Sequence, residues 1–126
     1  MTVHVVAGQF GDTTGAMQSL TDATMQAIDL KAGGSVTLPA PAGRAVFLYV
    51  VEGTVDIGDE KVEQYTRVEF DQSGDEITLT ATDTAHVIYG HAPLIEEPVT
   101  ARGPFVMTTH EEVVQAARDF QAGRFK

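Results

Sequence analysis

Gly103-Pro104-Phe105-Val106-Met107-Thr108-Thr109, running on through His110-Glu111-Glu112 to Gln121-Ala122-Gly123-Arg124-Phe125, closes the chain and carries its one convincing helix. Thr109-His110-Glu111-Glu112 fits a capping box. In it the Thr109 hydroxyl and the Glu112 carboxylate satisfy free backbone N–H groups at the helix start. The acids also complement the positive end of the helix dipole. Val113, Ala116, Ala117 and Phe120 fall on one stripe at helical spacing. Arg118 and Arg124 lie toward the C-terminal end, and Gly123 suits the C′ position.

Working outward from this segment, strand-like runs dominate up to about residue 92. Val3 to Val6 is β-branched. Met25 to Leu30 ends at the Gly33-Gly34 turn, and Ser35 to Leu38 is stopped by Pro39 and Pro41, which cannot join a central ladder. Ala45 to Val51 is a continuous apolar run, the pattern of a strand covered on both faces. Gly53 breaks it, and Val55 and Ile57 then alternate with Asp56 before Gly58-Asp59. Glu60 to Phe70 supplies two short strands around Gln64-Tyr65, and Asp71 to Gly74 reads as a turn. Ile77, Leu79 and Ala81 alternate with threonines as a half-buried strand, and Ala85 to Tyr89 is the last strong one. Residues 90–104 hold Pro93, Pro98 and Pro104 and read as a wrapping segment. Many short strands with turn chemistry between them predict a sandwich or barrel.

With 126 residues, 43% apolar and 21% charged, the chain is sized for one domain, 1–126, with a real core. It has no cysteine, which excludes disulfides, zinc–thiolate sites and thiol nucleophiles. No apolar run approaches the roughly 18 residues of a membrane span. The N-terminus lacks the pattern of a signal peptide, so a cytoplasmic protein is expected. Eighteen acidic against eight basic residues give a net charge of −10, which repels phosphate backbones and argues against nucleic-acid partners.

Three stretches together resemble the pirin family, whose members are two tandem cupin lobes in one chain. The first is Pro39-Ala40-Pro41-Ala42-Gly43 before Phe47-Leu48-Tyr49-Val50-Val51-Glu52-Gly53, an apolar strand running into a glycine turn. The second is Pro93-Leu94-Ile95-Glu96-Glu97-Pro98-Val99, and the third is Gly103 to Phe125. The resemblance covers residues 25–125 and is to the C-terminal lobe. Val5-Val6-Ala7-Gly8 resembles the way that lobe begins. It implies an all-β fold, a cupin double-stranded β-helix or jelly-roll barrel, with one C-terminal α-helix. Intact pirins resemble cupin dioxygenases and carry the activity name quercetin 2,3-dioxygenase. That activity needs a mononuclear metal held by histidines and a carboxylate, with positions open for substrate and oxygen. The resemblance places the iron in the other lobe, so no cofactor and no metal site are expected here.

A cupin site uses a His-x-His pair before the apolar strand, because alternate strand residues point to one face. Counting back from Glu52-Gly53, the pair falls near Ala40 and Ala42 and the acid near Val46, all three apolar. His86 and His91 are five apart, which on a regular strand puts them on opposite faces. His91 follows Gly90 and is read into the wrapping segment. His4 lies in the first strand, where folding could bring it near His86, and His110 sits in the first turn of the helix. Asp56, Asp59 and Glu60 serve a hairpin. Glu96-Glu97 lacks the apolar surroundings that would tune a general acid. Gly33-Gly34 is followed by a strand instead of a phosphate-cradling helix start. Ser19, Ser35 and Ser73 lack a nucleophile elbow. No catalytic residue is assigned.

The leading reading is a single cupin domain acting as a non-catalytic binding or assembly module. A lone lobe leaves apolar surface around Phe105, Val106, Val113 and Phe120, which predicts a homodimer that restores a two-lobed arrangement, with a protein partner as the other occupant. The resemblance supports a second reading, a metal-dependent dioxygenase or isomerase. The third is a small-ligand binder, with Ala40, Ala42, Val46 and Tyr49 lining a pocket for one small apolar molecule.

Overall fold

A computed structural model describes residues 1–71 and 74–125 of the chain. The turn expected over 71–74 therefore falls partly on Gln72 and Ser73, outside the described residues, as does Ser73 as a candidate nucleophile. The chain divides into two compact units, Met1–Leu94 and Ile95–Lys126.

The first unit holds β1 (Thr2–Ala7), β2 (Gln9–Phe10), β3 (Thr13–Thr14), β4 (Thr24–Leu30), β5 (Ser35–Pro39) and β6 (Arg44–Glu52). It continues with β7 (Val55–Ile57), β8 (Glu60–Val62), β9 (Arg67–Phe70), β10 (Glu76–Ala81) and β11 (Ala85–Pro93). A five-stranded sheet runs β1-β4-β11-β6-β9 and a four-stranded sheet β5-β10-β7-β8, every pairing antiparallel. Period-two alternation builds the core between them. Ile28, Leu48, Val50, Val87 and Tyr89 from the first sheet and Val36, Leu38, Val55 and Leu79 from the second form one buried cluster. Each such side chain contributes about 1.5–3 kcal/mol on burial. This is the mostly-β jelly-roll architecture expected from the sequence.

Three differences matter for function. The β6 run is covered on one face only: Val46, Leu48 and Val50 are buried, whereas Ala45, Phe47 and Val51 are exposed and Tyr49 is half-buried on the outer side. β11 runs through Gly90 to Pro93, so His91 is a strand residue and the wrapping segment begins later. Gly90 is there for close approach, since a Cβ at this position would lie 2.6 Å from Cε1 of Phe47. Finally, a bulge interrupts the β11–β6 register. His86 pairs with Glu52 but Val87 with Val50, and the skipped Val51 turns Glu52 toward His86.

The second unit holds β12 (Thr100–Arg102) and β13 (Phe105–Met107), paired as a hairpin, and α1 (His110–Gln121). The Thr109 Oγ1 accepts from the Glu112 N–H at 3.2 Å. The Glu112 carboxylate accepts from the Thr108 and Thr109 hydroxyls besides the Thr109 backbone N–H that the capping box calls for. These bonds draw its pKa below the usual carboxylate value. Gly123, at φ 72°, takes the left-handed conformation that ends the helix.

Leu48→Ala is expected to lower the unfolding free energy by about 2–5 kcal/mol in a urea titration. Thr109→Ala is expected to cost about 1 kcal/mol through its lost cap. A Leu48→Ala cost no larger than that of the cap would mean that β6 does not cross the core as described.

Candidate functional site

One end of the five-stranded sheet concentrates the chemistry of the first unit. On its inner face, cross-strand register lines up Thr24, His91, Val46 and Phe70 on β4, β11, β6 and β9. The next row inward is Gln26, Tyr89, Leu48 and Val68. The Tyr89 hydroxyl donates to the Pro39 carbonyl, and burial pushes its pKa up to about 12. Gln26 is only 1% exposed; its Nε2 donates to the Gln9 carbonyl at 3.4 Å, while its Oε1 has no partner among the described residues.

His91 packs edge-on against Tyr89, ring centroids 5.8 Å apart. Its Nδ1 accepts from Arg44 Nε at 3.0 Å, which assigns the neutral tautomer with the proton on Nε2. Burial holds the His91 pKa below its ordinary value, and the Arg44 charge adds to this. Arg44 in turn grips Asp22, donating from Nη1 to Oδ2 at 3.0 Å and from Nη2 to the main-chain carbonyl. A cavity of about 690 Å³ opens beside this chain of contacts, lined by Gln9, Thr14, Asp22, Thr24, Arg44 and His91 among others.

The outer face at the same end is different. Met25, Ala45, Phe47, Glu69 and Ala92 border a groove of about 640 Å³ that reaches round the sheet end to Thr24, Val46, Phe70 and His91 of the inner row. Met25 is 42% exposed and Phe47 36%. The Phe47 ring lies over Gly90, and Arg67 pairs with Glu69 at 2.9 Å on the groove's edge.

Further along this outer face, four strands each contribute one residue to a ladder. His4 Nε2 meets Asp29 Oδ2 at 3.1 Å, His86 Nδ1 bonds the other Asp29 oxygen, and His86 Nε2 lies 3.3 Å from Glu52 Oε2. His4 and His86 are thus brought together through a shared carboxylate, while His91 points to the opposite face. The hydrogen bond that His86 donates to the Asp29 carboxylate raises the His86 pKa. The bonds from His86 and then His4 lower that of Asp29.

The sequence-derived candidates scatter. Ala40 and Val46 are buried in the core. Ala42 is exposed on the turn before β6, and Tyr49 alternates outward, so neither lines the interior. Of the apolar surface candidates, Val106 and Phe120 are each 62% exposed, whereas Val113 is buried at 3%. Phe105, Phe120 and Phe125 form an edge-to-face trio with centroids 6.0–6.2 Å apart. Asp22, Gln26, Asp29 and Arg44 were missed. Arg44 left one signal: it shares the inward parity of Val46 and Leu48, an odd place for a charge.

The donor set does not fit a cupin metal. The positions counted from the sequence, Ala40, Ala42 and Val46, are apolar, and among the described residues no three His, Asp or Glu side chains converge on one point. Both ring nitrogens of His86 already face carboxylates, and Nδ1 of His91 faces Arg44. No described helix is long and apolar enough to cross a membrane.

Comparison with known proteins places this geometry in a lineage. The family described as the Pirin C-terminal cupin domain matches residues 25–126. The chain is 35% identical over 127 residues to a pirin-like protein of Caulobacter vibrioides, covering 99% of this chain and 46% of that one. It superposes with a TM-score of 0.90 and 30% identity on a crystal structure named quercetin 2,3-dioxygenase from Acinetobacter baumannii, covering 98% of this chain and 43% of that one. The bacterial pirin YhhW from Escherichia coli shares the fold at TM-score 0.65 and 17% identity, covering 75% of this chain and 40% of that one. The chain spans less than half the length of the curated relatives it matches first. The YhhW structure is a nickel(II) complex, and this corrects the expectation that no cofactor is involved: a protein of this fold holds a metal.

The ladder predicts a pH dependence. His86, with its pKa raised in the fold, adds stability that is present below its ordinary value of 6.5 and is lost as pH rises through the raised value. Asp29, with its pKa lowered, adds stability present above 3.8 and lost as pH falls through the lowered value. The gap in melting temperature between the native chain and His86→Gln should be widest near about pH 5 and narrow in both directions. A gap independent of pH would show that the ladder does not form.

Proposed function

We propose a function from the premise that the chain belongs to the pirin family, as a C-terminal cupin domain: it is a binding and assembly module, and its outer sheet face docks a second copy of the chain. One observation carries this reading. β6 has the apolar composition of a strand covered on both faces, yet Phe47, Val51 and neighbouring Met25 stand 36–42% exposed. An apolar groove of this kind, edged by a polar pair, has the make-up of a protein–protein contact. The length of the relatives supports the choice of occupant, because each carries as much chain again beyond the part matched here. Val106 and the phenylalanine trio offer further apolar surface.

Light scattering is expected to give twice the chain mass at micromolar concentration. Phe47→Glu combined with Met25→Lys should give the monomer while keeping the β circular-dichroism spectrum. With a net charge of −10 per chain, the dimer should tighten as salt rises from low to physiological, by screening of self-repulsion. A native chain that stays monomeric across the accessible concentration range overturns the proposal.

A second reading, oxygenase chemistry, is favoured by the name of the Acinetobacter structure. That name belongs to a protein of which this chain covers 43%, and the positions counted from the sequence as ligands hold Ala40, Ala42 and Val46. Chain supplied with iron(II) or nickel(II) is expected to leave quercetin unconsumed under oxygen. Turnover above the metal-only background would move the activity into this lobe.

A further inference from the structure

The contact between Arg44 and Asp22 has the form of a receptor holding a ligand. The Arg44 side chain is 18% exposed and the Asp22 side chain 84%. The guanidinium is fixed in its plane by His91, through Nε, so its two Nη groups face the mouth as a preset fork. The fork holds two oxygens of one residue, the Asp22 carboxylate and the Asp22 carbonyl. To present both, Asp22 adopts φ 56°, a left-handed conformation that aspartate tolerates at some cost. The carboxylate and carbonyl carbons of Asp22 are separated by Cβ and Cα, the spacing of a 4-oxo acid. The cavity of about 690 Å³ beside them has room for such a molecule, with Thr24 and Gln9 in its wall. The neutral His91 leaves the Arg44 charge undiluted by a second cation.

We propose that Arg44, oriented by His91, is the anchor of a binding site for a small carboxylate carrying a second acceptor oxygen, and that Asp22 fills this site as an internal surrogate. A ligand of this class displaces Asp22 from the fork and lets its backbone relax. Ligand and Asp22 therefore compete, and removing the Asp22 side chain strengthens the site instead of weakening it. A purely structural clasp behaves in the opposite way.

The probe is levulinate, 4-oxopentanoate, followed by amide chemical-shift changes in the full chain. Pentanoate serves as the control without the second oxygen and methyl levulinate as the control without the charge. Levulinate is expected to bind the native chain weakly and to bind Asp22→Gly about fivefold more tightly, the scale of one exposed ion pair removed from competition. Glycine tolerates the left-handed backbone; should that variant fail to fold, Asp22→Asn carries the same test. Pentanoate should bind more weakly than levulinate and the ester not at all. Arg44→Gln should abolish binding in both backgrounds. The proposal is overturned by levulinate binding that survives Arg44→Gln, by equal binding of the ester, or by no gain on removing the Asp22 carboxylate. The test is separate from that of the assembly reading, since levulinate binding is read in the chain that keeps Phe47 and Met25, and by its loss in Arg44→Gln.

Discussion

The pairing of β6 with β11 is the constraint from which the rest follows. These two strands lie side by side within the five-stranded sheet, and their register decides what meets what. It sets His91 opposite Val46 on the inner face and Gly90 opposite Phe47 on the outer one. The bulge at Val51 then flips the parity of the strand end, so that Glu52 faces His86 instead of the core. A slip of one residue would send Leu48 and Val50 to solvent and carry Phe47 inward. That cost is several buried side chains at once, so the register is held by the core, and the sites at its two ends come with it.

Legibility in the sequence follows the range of the interaction involved. The terminal helix was readable because capping, dipole and stripe are local; even there, the Glu112 carboxylate takes a further partner in the neighbouring Thr108. The alternation of β10 was readable because threonine and aliphatic residues announce two different faces. The run in β6 was misleading because an apolar residue looks the same whether a neighbour covers it or not. Gly90 was taken for the end of a strand, when it is the flat place on which an aromatic ring rests. The meeting of His4 with His86 could be raised as an option from the sequence, but only the register of β1, β4 and β11 supplies Asp29 between them. The bulge had no sequence signal at all.

The apolar Ala40 and Val46 limit what this interior can hold. Ala40 and Val46 fill the core, where imidazole and carboxylate donors would have to be held. The YhhW structure, which shares this fold, holds nickel(II). A domain of this fold whose inner positions are hydrocarbon can still contribute surface and shape. The β6 strand is apolar on both faces, and only its inner one is covered within the chain.

Arg44 differs from the other paired cations of the chain. The chain has eight basic residues against eighteen acidic ones, and most of the paired cations lie well out in water, Lys61 at 58%, Arg67 at 67% and Arg124 at 69% exposed. Arg44 at 18% is the exception, and it stands at the inward-facing position where β6 enters the core. A half-buried guanidinium carries a desolvation cost that an exposed one avoids, and a lysine could snorkel away from it. Its planar fork is matched to two oxygens, and its Nε is spent on fixing a histidine tautomer. If the sole task were to fasten a loop, an apolar contact at that parity would do so without stranding a charge. The combination of a buried fork, a strained carboxylate in it and an open cavity alongside is better accounted for by a site that exchanges its occupant.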